Sequence, residues 1–487
     1  MRYINCWLLI FSISISFAQE EQPNSVEKAL QSFLKHTDLS HAAVSFEAID
    51  LSTGKVVASA NPRMAIIPAS TVKLFTTATA FQYLGSFYKP ITRLYYTGTI
   101  SEHGVLTGNL IVRGGGDPTL GSRFYTKEGE ERAFFADWKN AISELGIKEI
   151  KGSVIADASD FGYDGAPAGW TWGDMGNYYG AWASGLTLFD NMTYLYFNTT
   201  SNSGDTAELY CIDPYIPSLT VQNRVKSAKV KGDNAYVFGA PFSKDWFVEG
   251  QLPIDQSDFK VKAAIPDPEE LLAMEFSSFL KQAGIGVHYH YVAMRNVWNA
   301  KELIYADAQL IMEYAGKDVN NIAYWVNQRS VNLYAEHLLG LVGLKKYGKG
   351  NTSNGTAAVV DYWSDKIATQ GIRLTDGSGL SRNNAVSASH FTALLKYMRE
   401  KGEKEFEKTL PIAGKSGTLA SVCKGQAAEG RLIAKSGTMS RIKSYAGYVN
   451  TKSGKQLAFA IIVNNHTNSS AALVKQMEPL FNVMANY

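Results

Sequence analysis

The pattern of apolar and polar residues divides the chain into three stretches of different character. Near the start, Ser25 to His36 sets Val26, Leu30, Phe33 and Leu34 on one face at helical spacing. Ala42 to Leu51 and Lys55 to Ala60 read as two strands joined by the turn Ser52-Thr53-Gly54. Pro68 then opens an apolar helix carrying Val72, Leu74, Phe75, Ala78 and Phe81, which runs towards Leu84 and stops at Gly85. From about Tyr88 to Val297 the pattern breaks into short strands punctuated by Gly, Pro and Asn. Helical periodicity returns at Leu303, runs to Ala315, and resumes over 321–342. Three strand-like segments follow, at 431–438, 444–450 and 456–465, the last two joined by the turn Thr451-Lys452-Ser453-Gly454. A helical segment from Ala471 to Met484 closes the chain.

This order predicts one α/β domain built from both ends of the chain, residues 19–87 and 298–487. A β-rich insertion at 88–297 interrupts it. No repeat of solenoid type is present. The first eighteen residues read as a secretory signal: Arg2, an apolar run from Cys6 to Phe17, then Ser16-Phe17-Ala18 before polar Gln19. That run is shorter than the roughly 20 residues of a spanning helix, so the expectation is an exported protein without a membrane anchor after cleavage. Cys6 begins the apolar run instead of following it, which is the wrong place for a lipid anchor. With 19% charged and 45% hydrophobic residues among 487, the composition is ordinary for a globular protein. A net charge of +2 gives no electrostatic reason to expect nucleic acid as a partner. Cys211 and Cys423 remain after cleavage, and spacing leaves a single bridge between them open.

Candidate chemistry narrows to serine with lysine. HExxH and GxSxG are absent. Gly343 to Lys349 imitates a phosphate loop, but Gly350 stands where a magnesium-holding Ser or Thr belongs. His288 and His290 alternate on a strand with nothing nearby to complete a metal site, so no metal and no cofactor is expected. SxxK occurs nine times and carries little by itself. Ser70 differs from the other eight by standing at the first turn of an apolar helix, with Lys73 on the same face. Burial would lower the lysine's pKa and fit it as a base. Ser330-Val331-Asn332 offers a hydroxyl and an amide inside a strongly helical stretch, although SxN also occurs at Ser381-Arg382-Asn383. Of three KSG copies, at Lys415, Lys435 and Lys452, only Lys435-Ser436-Gly437-Thr438 ends an apolar strand. A second lysine there is expected to hold Lys73 neutral by like-charge repulsion and to attract a carboxylate.

Ser70/Lys73, Ser330/Asn332 and Lys435/Thr438, on helix, helix and edge strand, form the pattern of penicilloyl serine transferases. The chain resembles the D-alanyl-D-alanine carboxypeptidase/endopeptidase class of low-molecular-mass penicillin-binding proteins (class C). DLSTGKVVASAN, PASTVKLFTTA, RGGGDPTL, APAGWTWGDM, RSVNLYAEHLL, DGSGLSRNN, LPIAGKSGTL and AKSGTMS carry the resemblance. It implies an α/β (α+β) β-lactamase/transpeptidase-like domain, with a central antiparallel sheet flanked by helices and interrupted by a large insertion. It also implies cell-wall peptides and β-lactams as partners, in the periplasm or outside the cell. Carried over by position, Ser70 is the acylated nucleophile and Lys73 its proton acceptor. Ser330 relays a proton to the leaving amine, and Asn332 holds the acyl-side amide. Lys435, Ser436 and Thr438 grip the terminal carboxylate beside Gly437, and the N–H groups of Ser70 and Thr438 form the oxyanion hole. Asp174, Met439 and Arg382 would line the pocket for the peptide's diamino-acid side chain, although Asp174 equally suits a loop cap and Arg382 a surface ion pair. No deacylating glutamate loop of the class A β-lactamase type is evident.

Overall fold

A computed structural model describes residues 24–217 and 219–487; the expected signal at 1–18 lies outside the described residues. The first body is built on a five-stranded antiparallel sheet in the order Val56–Ala60, Ala43–Asp50, Gln456–Asn464, Ile442–Asn450, Leu432–Met439. Its central strand explains the arrangement. Leu457, Phe459, Ile461 and Val463 enter one core, shared with helices Ser25–Leu34 and Ser470–Asn486, while Ala458, Ala460 and Ile462 enter another. The second core holds Leu74 and Phe75 of Lys73–Thr79 and Phe391 of Ala388–Glu400. A strand covered on both faces reads as a continuous apolar run, and this one does. Alanines on the second side let the Ala388–Glu400 helix lie close to the sheet.

Gly85, at φ 94, ends the turn of helix after Lys73–Thr79, and the chain leaves this body. It builds a mixed five-stranded sheet in the order Val292–Ala293, Val154–Asp157, Leu110–Arg113, Ile91–Tyr96, Gln309–Ala315. Helices Phe134–Glu144 and Pro268–Gln282 cover it, with the rings of Phe135, Trp138 and Phe276 within 5.5 Å of one another. A smaller unit follows, in which the sheets Glu208–Asp213/Met192–Asn198/Phe259–Ala264 and Thr220–Ala228/Asp245–Pro253/Asn234–Phe238 share a core around Phe197, Val237 and Trp246. The insertion is thus rich in strands and carries two longer helices.

Two sequence expectations need correction here. Helix Lys301–Tyr305 takes in only the first three residues of the 303–315 stretch; Gln309–Ala315 is a strand antiparallel to Ile91–Tyr96. Its apolar residues satisfy either period, and pairing with an open sheet edge, reinforced by Arg93 and Glu313 at 2.7 Å, decides for strand. The chain thus re-enters the first body after Ala315, later than the boundary drawn at 298. His337 fastens the two parts together, its ring nitrogens each 2.9 Å from an insertion group, the Gly116 carbonyl and the Thr187 hydroxyl. Cys211 is exposed, Cys423 is buried, and neither is in a disulfide. Among the described residues no helix is long and apolar enough to cross a membrane.

The two-core arrangement sets a stability expectation. Phe459→Ala should remove about 3–5 kcal/mol, read as a lower urea midpoint. Leu303→Ala, at a side chain 79% exposed, should stay within about 0.5 kcal/mol of the parent.

Candidate active site

Ser70 is presented by a strained turn. Ala69, fully buried, holds φ at 49°, a backbone state that non-glycine residues seldom adopt. The hydroxyls of Thr71 and Ser444 both donate to the Pro68 carbonyl, at 2.7 and 2.6 Å, and hold the turn in place. Two glycines permit the close packing around it. A Cβ on Gly437 would lie 2.9 Å from the Ser70 nitrogen, and one on Gly379 would lie 2.0 Å from the Ala69 carbonyl oxygen. The edge strand and the 376–381 loop therefore both rest against the Ala69–Ser70 backbone.

Lys73 follows at the start of its helix, fully buried. Its amine lies 3.0 Å from Ser70 Oγ and 2.7 Å from Asn332 Oδ1, and it also bonds the Ser378 carbonyl. Burial lowers its pKa to about 7, against the opposing pull of the Asp376 and Glu336 charges. The sequence reading named burial as one cause and repulsion from Lys435 as another, and burial is the one that dominates. The repulsion between the two amines shows on Lys435. That amine, also fully buried, is held well below its ordinary value by burial and then by Lys73 and Lys443. It donates to Ser330 Oγ at 3.0 Å and to the Ser436 carbonyl at 2.7 Å.

Ser330 is not inside a helix, contrary to the sequence reading. Helices Val319–Gln328 and Asn332–Tyr347 are separate, and Ser330 lies in the break between them at φ 57. Apolar spacing runs through the break, so periodicity could not reveal it. The break turns the Ser330 hydroxyl to Lys435 while Asn332 begins the next helix. The Asn332 amide is fixed at both ends: Oδ1 accepts from Lys73, and Nδ2 donates to the Tyr179 carbonyl of the insertion at 2.8 Å.

A cleft of about 370 Å³ opens over this constellation, lined by Ser70, Ser330, Asn332, Thr438, Met439, Asp174 and Arg382 among the expected residues. Lys73 and Lys435 lie behind its wall and reach it through the two serine hydroxyls. Ser436 does not line it. That hydroxyl is buried and donates to Thr418 Oγ1 at 2.8 Å, in the 415–418 KSGT copy. Asp174 lines the cleft, and its carboxylate accepts from the Thr171 N–H and hydroxyl as a helix cap. Arg382 stands exposed at the rim. His288 pairs with Glu149 at 2.7 Å, a structural contact.

Sequence reasoning missed four supporting groups. Glu336, one helical turn after Asn332, is buried and accepts the Gly377 and Ser378 N–H groups, at 3.1 and 2.8 Å. Burial and the neighbouring Asp376 charge push it up to about 8. Asp376 accepts from the N–H groups of Gly379 and Ser381 and from Trp170 Nε1. Lys443, whose pKa burial lowers to about 8, donates to Thr438 Oγ1 at 2.7 Å. Tyr179 lines the cleft, and burial with the Asp174 charge raises its phenol. A signal existed for one of them: Glu336 stands in the largely apolar run 333–342, where a burial-minded reading marks it as a paired polar group.

Fold and cleft together define a serine hydrolase of the penicillin-binding, β-lactamase-like type. The chain belongs to the D-Ala-D-Ala carboxypeptidase 3 (S13) family, whose profile matches residues 26–487. It is 27% identical to the D-alanyl-D-alanine carboxypeptidase of Actinomadura sp. (strain R39), over 96% of this chain and 86% of that one. It is 25% identical to D-alanyl-D-alanine carboxypeptidase DacB of Haemophilus influenzae, over 91% of each. The crystal structure of penicillin binding protein 4 (dacB) from Haemophilus influenzae shares the fold, with a TM-score of 0.79 at 23% identity, covering 95% of this chain and 100% of that one.

The packing at Gly437 makes a direct prediction. Gly437→Ala should push the edge strand off the Pro68–Ser70 turn and cost about 1–3 kcal/mol, measurable as a lowered urea midpoint.

Proposed function

We propose that this serine peptidase is a D,D-carboxypeptidase and D,D-endopeptidase of peptidoglycan stem peptides, acting through an acyl-serine on Ser70 and acylated covalently by penicillin. The observation that carries this reading is the Ser70–Lys73 pair: a hydroxyl 3.0 Å from a buried amine whose pKa is near 7. When the amine is neutral its lone pair can accept the Ser70 proton, reversing the direction of that hydrogen bond. Ser70 Oγ then bonds the carbonyl carbon of the penultimate D-Ala, and the N–H groups of Ser70 and Thr438 receive the developing oxyanion. As the C–N bond breaks, Ser330 relays to the leaving amine the proton that Lys73 took from Ser70, which leaves Lys73 neutral again. Water, deprotonated by Lys73, releases the acyl group and restores Ser70. A terminal D-Ala leaves in the carboxypeptidase reaction. A cross-linked neighbouring peptide leaves in the endopeptidase reaction.

Lys435 supplies the reason a carboxylate-ended substrate fits. In the empty cleft its amine is desolvated and repelled by two other amines, so an arriving carboxylate restores its proton and is held by it. Thr438, bonded to Lys443, adds a hydroxyl to the same grip. Asp174, Met439 and Arg382 would receive the side chain of the stem peptide's diamino acid, pairing its amine and carboxylate. The apolar run before Gln19 fits export to the periplasm or the cell exterior.

Intact-mass spectrometry after brief exposure to benzylpenicillin tests the acyl-serine. One adduct is expected on the mature protein and none on Ser70→Ala. Intact drug with no adduct would sink the proposal, and consumed drug with no adduct would mean a β-lactamase. The acylation rate should also rise with pH, because the reactive amine is the deprotonated one. With a pKa near 7, stopped-flow acylation should be about tenfold faster at pH 8 than at pH 6 and level off above. A flat profile over that range would remove Lys73 from the role of base.

A further inference from the structure

We propose that the outer face of the sheet Glu208–Asp213/Met192–Asn198/Phe259–Ala264 binds the glycan strand of the polymer whose stem peptides enter the cleft; this rests on the peptidoglycan reading above. One side of the sheet is core, formed by Leu195, Phe197, Val261 and Ala263. The other side is a row-by-row polar and aromatic surface. Tyr194 stands between Asp213 and Lys262, and Tyr196 between Cys211 and Lys260, as direct cross-strand neighbours. The Tyr194 and Tyr196 rings are 6.3 Å apart, and Tyr210 continues the series 6.2 Å beyond Tyr196. This face forms one wall of a groove of about 600 Å³, larger than the catalytic cleft, with Arg123 and Arg132 on the opposite wall.

Charge decides what this groove can hold. Arg123 pairs with Asp190, Arg132 with Glu275, and Lys260 with Glu128. Those three cations, already matched by carboxylates, offer little to a polyanion, and Lys262 on the same face shares its cross-strand row with Asp213. Flat rings with hydroxyl tips, set among alternating donors and acceptors, suit a neutral polar ligand that presents an apolar ring face. Acetylated amino sugars have that chemistry.

Position links the groove to the reaction. Ala263, on the strand between Lys260 and the catalytic side, pairs with Asn177, and the Ala264 N–H donates to the Gly176 carbonyl. Two residues further, the Tyr179 carbonyl holds Asn332. The Lys262 amine lies 5.4 Å from the ring of the exposed Tyr178, which is 5.6 Å from that of Tyr179. A strand lying on the tyrosines therefore leads towards the mouth of the cleft, where its peptide branch would enter.

The test compares a soluble pentapeptide with the same peptide on glycan, in the mature protein and in Tyr194→Ala/Tyr196→Ala. The variant should raise KM for the glycan-linked substrate about tenfold, with the free peptide and penicillin acylation unchanged. Cys211 gives a second route without mutation: it is exposed on the tyrosine face while Cys423 is buried, so maleimide alkylation of the native protein should reproduce the loss. Glycan strands stripped of peptide should bind the parent in titration calorimetry and fail to bind the alkylated protein. Equal KM values on the linked substrate, or no binding of stripped strands by the parent, would overturn the glycan site while penicillin acylation left the acyl-serine reading standing. Binding of an acidic peptide in place of stripped strands would likewise overturn it. A parent that takes neither penicillin nor peptide would fail at the proposed function itself. Should the double variant lose penicillin acylation through misfolding, the alkylated parent decides.

Discussion

The Lys73 amine is shared by acceptors from segments 3, 259 and 305 residues away along the chain. An amine removed from water is costly unless each of its hydrogens finds an oxygen, and here three oxygens surround it. Each acceptor is itself held by something else. Ser70 is fixed by the strained Pro68–Ala69 turn, Asn332 by the Tyr179 carbonyl, and the Ser378 carbonyl by a loop whose N–H groups end on Glu336 and Asp376. Lys73 is thus where the nucleophile helix, the 332–347 helix, the 376–381 loop and, through Tyr179, the insertion converge. Displacing any of them would leave a buried donor without a partner.

That convergence changes the meaning of the insertion. It would be natural to treat residues leaving the domain after one motif and returning before the next as an appendage. Yet Trp170 Nε1 donates to Asp376, the Ser381 hydroxyl donates to the Ala168 carbonyl, and Tyr179 orients Asn332. The 168–180 segment spans the loop and helix walls of the cleft and supplies Asp174 to its lining. The catalytic domain and its insertion therefore share one site.

The parts of this arrangement that could be read from sequence are those in which local pattern and tertiary role agree. The 456–464 run is apolar throughout because both faces are covered, and the nucleophile helix is apolar because its sides face helices and sheet. Ser70, Lys73 and Lys435 were legible as chemistry because of the elements that carry them. Legibility failed where two segments decide together. Gln309–Ala315 became a strand because an open edge existed to pair with, and the Ser330 break hides under continuous apolar spacing. Lys443 stands among Ser440, Arg441 and Ser444, and only the three-dimensional packing shows that it holds Thr438. Burial of Lys73 was legible from the apolar helix that carries it, whereas the combined effect of burial, Lys73 and Lys443 on Lys435 needed the packing.

The strand order of the main sheet also constrains the history of each molecule. The Ala43–Asp50 strand pairs on its inner side with Gln456–Asn464, which is synthesised more than four hundred residues later. As the chain emerges, the first hairpin has an unpaired edge and a half-built core for nearly the whole of translation. Contacts of such sequence separation form late and slowly. The Leu432–Met439 strand, which brings Lys435 and Thr438 to the nucleophile, is equally late. A partly made chain carries Ser70 but no working site, so no reactive serine hydrolase exists until the polypeptide is complete.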